Sequence, residues 1–293
     1  MRVLVTGASG SLGSGVCRAL AQAGLGVRAA DRTYRGDLPV PVEVADLMHQ
    51  AAAYPLLQGC DAVVHLANHP NPQAGVPPQQ IYSDNVTLDV NVFQAAAHLG
   101  VRNVVFASSV QVFAGSRTAD DQTRPSCLPY LPIDGDLPAR PGNAYALSKE
   151  AGEQQLRYFC ALDPALKATS VRFPALIIRD SIQWIRRMRR LRASRFPSNP
   201  DEGMGYLSVE DAASLVLAAL LKQRPGYHQV LPSAPDNFQS LTVPQMIERF
   251  FAGVPVRKHI ECEKSIVDPA PLREELGWSP RDTDLFDQDG VLR

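Results

Sequence analysis

The stretch Thr6-Gly7-Ala8-Ser9-Gly10-Ser11-Leu12-Gly13 decides the fold of this chain. It follows an apolar run, Arg2 to Thr6, that predicts a buried strand, and it opens Ser11 to Ala23, whose apolar residues recur with a helical period. Glycines at such a junction let the backbone approach a pyrophosphate, and the helix N-terminus supplies N–H groups and a favourable dipole. The spacing is G-x-x-G-x-x-G, for which an ordinary glycine turn is the alternative interpretation. The predicted pyrophosphate contacts are Gly7, Ser9, Gly10, Ser11, Leu12 and Gly13.

Asp31 ends a second predicted strand, Val27 to Ala30, and lies 18 residues after Gly13. A carboxylate at this place accepts hydrogen bonds from both ribose hydroxyls of an adenosine and repels a 2′-phosphate. The sequence therefore predicts NAD as the cofactor. Arg28 and Arg32 are nearby cations that would suit NADP instead, and Arg32 is included in the predicted cofactor site.

Asp46 and Leu47 follow a third strand region and would border the adenine of the cofactor. A helix cap is the alternative interpretation of Asp46, because aspartate is among the residues preferred at that position.

Downstream, Tyr145-Ala146-Leu147-Ser148-Lys149 places a phenol and an ammonium four positions apart on a predicted helix. Positions i and i+4 share one helix face, so both groups can point into one cleft. A nearby positive charge favours the phenolate, so the pKa of Tyr145 is expected to fall from its ordinary value of about 10. Such a phenol can take a proton from an alcohol or return it to a carbonyl. The pair thus predicts the proton half of a hydride-transfer reaction.

Strand and helix patterns alternate with short connections through the first 178 residues. This order predicts an α/β fold with a doubly wound parallel sheet and helices on both faces. The further strands are predicted at Ala62–Ala67, Asn103–Ser108 and Ala168–Ile178, and the further helices at Val86–Leu99 and Ala144–Leu162.

The predicted domain organisation follows from the point, after residue 178, at which strands and helices no longer alternate. We predict an NAD-binding domain over residues 1–178, with residues 204–232 returning to its sheet. Residues 179–203 and 233–293 form a smaller predicted lobe that covers the substrate. The proline-rich segment Gly115 to Asn143 is predicted as a long loop, and loops of that length inside a domain are usually functional or disordered.

Composition excludes several classes of protein. The 293 residues carry a formal charge of −1, which argues against a general nucleic-acid binder. No apolar run reaches the length of about 20 residues that spans a bilayer, and no signal peptide is visible before the first strand. Five scattered cysteines fit reduced thiols and a cytoplasmic location. The histidines lack ligand spacing, including those of His65-Leu66-Ala67-Asn68-His69, so no metal site is predicted.

These features together resemble the extended short-chain dehydrogenase/reductases, and more narrowly the NAD-dependent epimerase/dehydratase group. The residues that carry the resemblance are the glycine opening, Asp31, His65-Leu66-Ala67, Ala107-Ser108-Ser109, Tyr145 with Lys149, and Leu276-Gly277-Trp278-Ser279-Pro280. The resemblance implies a Rossmann-type fold. It implies that Ser109 hydrogen-bonds the reacting hydroxyl and that Tyr145 is the general acid/base. Lys149 would bind the nicotinamide ribose and lower the tyrosine pKa.

The same resemblance implies further roles along the chain. Asn85 would be mainly structural within the cofactor site, and Asp211 would steady the lobe near the substrate. A homodimer would form through the helices Val86–Leu99 and Tyr145–Leu162. The remaining implied cofactor contacts are Leu66, Ala67, Asn68, Phe173 and Pro174.

Departures from the family pattern bear on the substrate. Val110 and Gln111 stand where dehydratases of the family carry an Asp-Glu pair, so a dehydratase is not expected. Ala175 replaces an asparagine, three residues after Arg172, that many nucleotide-sugar enzymes use. Val110 and Arg172 remain candidate substrate contacts.

An arginine-rich segment is the best indication that the substrate is anionic. Its six arginines fall within ten residues, and guanidinium groups bind phosphate or carboxylate in a bidentate manner. Arg186 and Arg190 are therefore candidate substrate contacts. A helix with a solvated basic face is the alternative, because Trp184, Met188 and Leu191 give one apolar side. The six are Arg186, Arg187, Arg189, Arg190, Arg192 and Arg195.

The sequence thus predicts an NAD-dependent enzyme that oxidises a sugar hydroxyl, foremost a 4-epimerase of nucleotide sugars. A sugar or uronate dehydrogenase is the alternative, because it uses the same residues. A non-catalytic NAD-binding regulator is the alternative of another class, since a fold does not fix a function.

Overall fold

The computed structural model of the protein describes residues 1–70, 75–117, 124–178, 199–237, 239 and 241–282. Its strands are β1 Arg2–Thr6, β2 Gly26–Asp31, β3 Val42–Val44, β4 Ala62–His65, β5 Asn103–Ser109, β6 Lys167–Phe173, β7 Ala175–Ile177, β8 Tyr206–Ser208 and β9 Gly226–Val230. The helices of the described residues are α1 Ser11–Gln22, α2 Gln50–Leu57, α3 Pro78–His98, α4 Ala144–Leu162, α5 Val209–Lys222, α6 Val243–Phe250 and α7 Ala270–Leu276.

Seven strands form one sheet in the order β3-β2-β1-β4-β5-β6-β9. The pairings of β1 with β2 and β4, of β2 with β3, and of β4 with β5 are parallel. Val5 at the centre lies opposite Ala29 and Val64, and all three are buried. Because these strands run the same way, Thr6, Asp31 and His65 end at one edge. The predicted doubly wound sheet is confirmed.

Several element bounds differ from those predicted. Helix α3 begins at Pro78, eight residues before its predicted start at Val86. The prediction missed the first two turns because they are mostly polar and show no helical period of apolar residues. The strand predicted over Ala168–Ile178 is divided at Pro174 into β6 and β7, since proline has no N–H group for a strand ladder. Strand β7 instead pairs with β8 in a separate two-stranded sheet.

The chain divides into two compact units. Unit 1 comprises Met1–Ser108, Asn143–Val171 and Ala212–Gln229. Its core is a cluster of buried apolar side chains that includes Leu4, Val63, Phe93, Phe106, Leu156 and Phe159. Burying a side chain of this kind contributes roughly 1.5–3 kcal/mol, so this cluster fixes helices α2, α3 and α4 against the sheet.

Unit 2 comprises Ser109–Gly142, Arg172–Asp211 and Val230–Arg293. It has its own apolar cluster, which includes Leu131, Ile133, Met204, Met246, Phe250 and Ile266. The backbone of Ile133 also hydrogen-bonds that of Ile266 at 2.8 Å. These contacts pack the proline-rich segment into the apolar cluster of unit 2.

Two kinds of feature are absent from the described residues. No helix among them is long and apolar enough to cross a membrane. The same residues contain no group of three or more His, Cys, Asp or Glu side chains that could hold a metal ion.

Candidate active site

The glycine-rich loop between β1 and α1 is so tight that no side chain fits at Gly7 or Gly13. Gly7 has a φ of +68°, and a Cβ there would lie 2.8 Å from the backbone nitrogen of Ala67. A Cβ at Gly13 would lie 2.1 Å from the Gly7 oxygen. Gly10 is the N-cap of α1, which has no side-chain cap and no acidic residue in its first turn. The N–H groups of that turn therefore suit an anion such as a pyrophosphate.

Asp31 is held against this loop. Its Oδ2 accepts a hydrogen bond from the N–H of Ser9 at 3.0 Å. Its Oδ1 accepts from the N–H and the hydroxyl of Thr33, both at 3.0 Å. The carboxylate is thus fixed beside the glycine loop, where it fits an adenosine ribose. Arg32, next to it, is exposed.

Arg28 is engaged by groups other than Asp31. Its guanidinium pairs with Glu43, with Nε 2.5 Å from Oε1, and it also donates to the carbonyl oxygens of Pro55 and Leu56. The hydrogen bond from Arg28 lowers the pKa of Glu43 below its ordinary value. Arg28 is therefore committed to this pair.

Arg35 lies at the loop and was missed in the sequence analysis. Its Nη1 donates to the carbonyl oxygen of Ser9 at 3.2 Å, and its Nε lies 2.5 Å from Asp37 Oδ1. Arg18 pairs with the same carboxylate at 2.8 Å. The hydrogen bond from Arg35 lowers the pKa of Asp37 to about 2. In the sequence, only the close spacing of Arg35 and Asp37 indicates their ion pair. The contact of Arg18 with Asp37 could not be predicted, because Arg18 lies on α1.

Asp46 and Leu47 have structural contacts. Asp46 Oδ1 accepts a hydrogen bond from the N–H of Met48 at 3.0 Å, which closes the turn before α2. The side chain of Leu47 is 4 % exposed in the core of unit 1. The carbonyl oxygen of Leu47 accepts from Asn91 Nδ2 at 2.9 Å. Asp46 is not the cap of a helix, because the N-cap of α2 is His49. Its carboxylate closes the turn before that helix, and its proposed place beside the adenine stays a prediction.

Tyr145 and Lys149 are buried together on α4. The helix starts where the Asn143 side chain accepts the N–H of Ala146 at 2.8 Å. Lys149 Nζ lies 5.7 Å from the centroid of the Tyr145 ring and 4.9 Å from that of Phe106. Burial lowers the pKa of Lys149 to about 8, and the nearby charge of Asp89 opposes this shift.

The residues after β4 connect the glycine loop with Lys149. The N–H groups of Leu66 and Ala67 donate to Thr6 Oγ1 at 3.1 and 3.3 Å. Asn68 Oδ1 then accepts a hydrogen bond from Lys149 Nζ. This segment of unit 1 therefore places the loop, the amide and the ammonium in one connected arrangement.

Asn85 on α3 joins two neighbouring segments. Its Oδ1 accepts from the N–H of His69 at 2.7 Å, and its Nδ2 donates to Ser148 Oγ at 2.9 Å. Ser148 in turn donates to the carbonyl oxygen of Tyr145 at 2.7 Å. These contacts connect the segment after β4 with the start of α4.

Ser109 ends β5, Val110 begins the 3-10 helix that follows, and both belong to unit 2. Ser109 is 6 % exposed, and its Oγ accepts the N–H of Gln111 at 3.2 Å, which starts a short 3-10 helix. Val110 is 4 % exposed and packs in the core of unit 2.

Arg172 is built into the interior of unit 2. It is 1 % exposed, and its Nη1 donates to the carbonyl oxygens of Gly135 and Leu137 at 3.1 and 2.6 Å. These contacts hold the proline-rich segment. Phe173 and Pro174, which follow Arg172, are also buried.

Asp211 ties the start of α5 to a late segment of unit 2. Its carboxylate accepts the backbone N–H groups of Arg281 and Asp282 at 2.9–3.0 Å. The pKa of Asp211 is raised, first because the group is buried. The candidate substrate contacts Arg186 and Arg190 lie outside the described residues.

Comparisons with known proteins agree on a family for this chain. The family model of the NAD dependent epimerase/dehydratase family matches residues 3–231. A UDP-glucose 4-epimerase of Azospirillum brasilense is 26% identical over 330 aligned positions, which span 100% of this chain and 90% of that protein.

Two further proteins are similar over different lengths. An NAD-dependent glucose-6-phosphate dehydrogenase of Haloferax volcanii is 34% identical over 54% of this chain, and the match spans 62% of that relative's length. The crystal structure of the Thermus thermophilus UDP-glucose 4-epimerase in complex with NAD has a TM-score of 0.69 at 23% identity. That match covers 99% of this chain and 96% of the crystallised one.

Proposed function

The chain belongs to the NAD dependent epimerase/dehydratase family, and from this premise we propose that it oxidises a hydroxyl group of a sugar. The family confirms the resemblance seen in the sequence, and with it the Rossmann-type fold, the enzyme type and NAD as the cofactor. The carbon that reacts and the fate of the product are our proposals.

One observation carries the proposal. Lys149 Nζ is buried within 5.7 Å of the Tyr145 ring centroid and is hydrogen-bonded to Asn68. Asn68 follows the strand whose end packs on Gly7 of the glycine loop. A phenol and an ammonium are thereby held in the unit that carries the cofactor loop.

The residues divide the chemistry as follows. NAD, when bound, supplies the acceptor for the hydride that leaves the sugar carbon. Tyr145 takes the hydroxyl proton, and the charge of Lys149 favours the phenolate that this step requires. The family resemblance, rather than any geometry of the structure, assigns to Ser109 a hydrogen bond to the oxygen that becomes the carbonyl. Asp31 orients the adenosine end of the cofactor, and the first turn of α1 binds the pyrophosphate.

A nucleotide-sugar 4-epimerase is the activity that we propose first. The Azospirillum brasilense relative, which aligns along the whole chain, is a UDP-glucose 4-epimerase. In such a reaction the proton held by Tyr145 returns to the same oxygen when the ketone is reduced on its other face. Val110 and Gln111 lack the acid and base that a dehydratase needs to expel water, so elimination is not proposed.

A sugar or uronate dehydrogenase is the second candidate. The glucose-6-phosphate dehydrogenase has the higher identity, 34%, although over half of this chain. Ala175 also lacks the side-chain amide that the resemblance associates with nucleotide sugars. In this case the ketone or lactone product leaves, and the reduced cofactor is released.

We propose that the sugar carries a negative charge. The support is the sequence alone, in which six arginines fall between positions 186 and 195. Reversing the charges of Arg186 and Arg190 should raise KM strongly with little change in kcat. An unchanged KM would identify the segment as a solvated basic face.

The deciding experiment follows the cofactor. The purified protein is denatured and the released NAD is measured, and NADH absorbance is then followed on a panel of free sugars, sugar phosphates, uronates and nucleotide sugars. Retained NAD with interconversion of C4 epimers and no net NADH supports the epimerase. Steady NADH production supports the dehydrogenase. Binding of NAD without turnover of any sugar would indicate a regulator.

Tyr145→Phe is the matched control for this experiment. It removes the hydroxyl group and keeps the ring, so NAD should still bind while turnover falls by roughly 10²–10⁴-fold, the usual contribution of a general acid/base. Turnover that survives this change would place the proton transfer on another residue.

We also propose a homodimer through α3 and α4. These helices expose apolar side chains, with Tyr158 59 % and Leu162 65 % exposed on α4 and Val90 38 % exposed on α3. Charged substitutions at Tyr158 and Leu162 should halve the mass measured by light scattering. A monomeric wild-type protein would contradict the proposal.

A further inference from the structure

A continuous set of hydrogen bonds crosses the interior of unit 1 and ends on Lys149. Thr6 Oγ1 lies 2.7 Å from His65 Nδ1, and His65 Nε2 lies 3.0 Å from Asp89 Oδ1. Asn68 Nδ2 donates to the same Oδ1 at 2.9 Å, and Asn68 Oδ1 accepts from Lys149 Nζ. We call these five residues the buried network. Thr6, His65 and Asp89 are 0 % exposed, and Lys149 is 3 % exposed.

The donors and acceptors fix the direction of every hydrogen bond in the buried network. Thr6 Oγ1 already accepts the N–H groups of Leu66 and Ala67, which use both of its lone pairs. Its own proton must therefore go to His65 Nδ1. A neutral His65 then carries its proton on Nε2 and donates it to Asp89. Ring contacts with Phe106 at 6.0 Å and Phe93 at 5.4 Å hold this imidazole in place.

Burial of the Asp89 carboxylate costs free energy, because the side chain is shielded from water. Its Oδ2 has no hydrogen-bond partner among the described residues. The helices α3 and α4 approach so closely that a Cβ at Gly152 would lie 2.6 Å from this Oδ2. A buried negative charge with an unsatisfied oxygen needs a nearby positive charge. Within the described part of unit 1, Lys149 is the buried cation that the buried network connects to it.

We propose that Asp89 is the positioning residue of Lys149, and that the buried network keeps this ammonium charged and oriented beside Tyr145. The consequence for turnover rests on the proposed function, because only there does the Lys149 charge support a phenolate. The electrostatic effect on Lys149 itself is a property of the protein without cofactor or substrate.

The other charged groups around Lys149 do not replace Asp89. Glu153 lies one helical turn further along α4 and accepts a hydrogen bond from Ser108 Oγ at 2.7 Å. Asp84 on α3 pairs with His69, with 3.0 Å between Oδ2 and Nε2, and is 22% exposed. Tyr145 shares the helix face with Lys149. Of these carboxylates, Asp89 is the one whose charge raises the pKa of Lys149 against the effect of its burial.

Asp89→Asn tests the proposal directly. The amide oxygen can still accept from His65 and Asn68, so the shape is kept and the charge is removed. The chain contains five lysines, so ¹³Cε labelling of lysine gives few signals, and Lys149→Met identifies the signal of interest. We expect the pKa of Lys149, about 8 in the wild type, to fall by roughly one unit or more in Asp89→Asn, the usual effect of losing a close opposite charge.

Asp84→Asn is the matched control, because it removes a carboxylate from the same helix at a more exposed position outside the buried network. Its Lys149 titration should match that of the wild type. An Asp89→Asn curve that also matches the wild type overturns the proposal. This readout needs no turnover, so it stays decisive even if the proposed function fails.

The wild-type protein offers a second measurement in case Asp89→Asn does not fold. Nitrogen-15 chemical shifts of His65 distinguish the two neutral tautomers. The buried network requires the proton on Nε2 and a bare Nδ1. The opposite tautomer would break the hydrogen bond to Asp89 and overturn the proposal. Where turnover is found, the alkaline limb of kcat/KM in Asp89→Asn should move to lower pH by the same amount as the Lys149 titration.

Discussion

Gly13→Ala would place a methyl group inside the glycine-rich loop. Alanine is the better helix former, by about 1 kcal/mol over glycine in a helix interior, so propensity alone predicts a more stable α1. The structure predicts the opposite. The new Cβ would lie 2.1 Å from the carbonyl oxygen of Gly7 and 2.8 Å from the Cα of Ala8.

The size of the clash decides between the two effects. A carbon and an oxygen in contact need about 3.2 Å or more, given optimal contacts of roughly 3.5 Å, so one backbone must move by about 1 Å. Gly7 cannot retreat, because its own Cα faces the backbone of Leu66 and Ala67, which a Cβ would approach to 2.8 Å. Overpacking of this kind destabilises by roughly 1–3 kcal/mol. A displaced loop should then weaken NAD binding by about 10- to 100-fold, or roughly 1.4–2.8 kcal/mol.

Calorimetric titration of NAD measures the affinity, and thermal unfolding measures the stability. Gly26→Ala is the matched control, because a Cβ there would meet its nearest neighbour at 3.6 Å, an ordinary contact, and φ is not positive. The control should bind NAD like the wild type. If Gly13→Ala binds NAD with wild-type affinity and melts at the wild-type temperature, the reasoning about the loop is refuted.

The geometry supports three more predictions. Asp37→Asn should free Arg35 beside the loop and improve NADP affinity by roughly tenfold, the value of one charge-assisted hydrogen bond. Fluorescence titration with NADPH checks this, and an unchanged ratio of NADP to NAD affinity would contradict it. The kcat/KM should fall as pH rises above about 8, because Lys149, whose pKa is about 8, loses its positive charge there; a flat profile through this range would exclude that role. Gly152→Ala should lower the free energy of unfolding by roughly 1–3 kcal/mol, because its Cβ would lie 2.6 Å from the Phe106 ring, as urea denaturation would reveal.

The parts of the fold that were predictable are those with a strong local period. Strand β1, the glycine loop and α1 were predicted within one residue, because their apolar positions repeat with the strand and helix periods. Helix α2 was not predicted. It has only eight residues, too few to show a helical period, and it contains Pro55, which is unfavourable inside a helix. The pairing of β7 with β8 joins residues 175–177 to 206–208, and no local pattern encodes such a partner.

The candidate site divides in the same way. The glycines, and Tyr145 with Lys149, are set by spacing along one element, so the sequence was enough to propose them. In the sequence, His65 belongs to the motif His65-Leu66-Ala67 and lacks the spacing of a metal ligand, and nothing there connects it with Asp89. Their contact requires β4 and α3 to pack together, and 24 residues separate the two side chains. The Arg35–Asp37 pair is local, but its partners Ser9 and Arg18 come from the glycine-rich loop and α1, and no local pattern encodes those contacts.

Stability alone does not account for the interior of unit 1. A lysine that is 3 % exposed and a carboxylate that is 0 % exposed lose their hydration, and apolar residues of similar volume often stabilise a protein more than such a pair does. Burial already lowers the Lys149 pKa to about 8, so without Asp89 the charge would be lost at a lower pH. A structural role would be served equally by a neutral side chain in the place of Lys149. A requirement for positive charge beside Tyr145, as the proposed function has it, explains both residues at once.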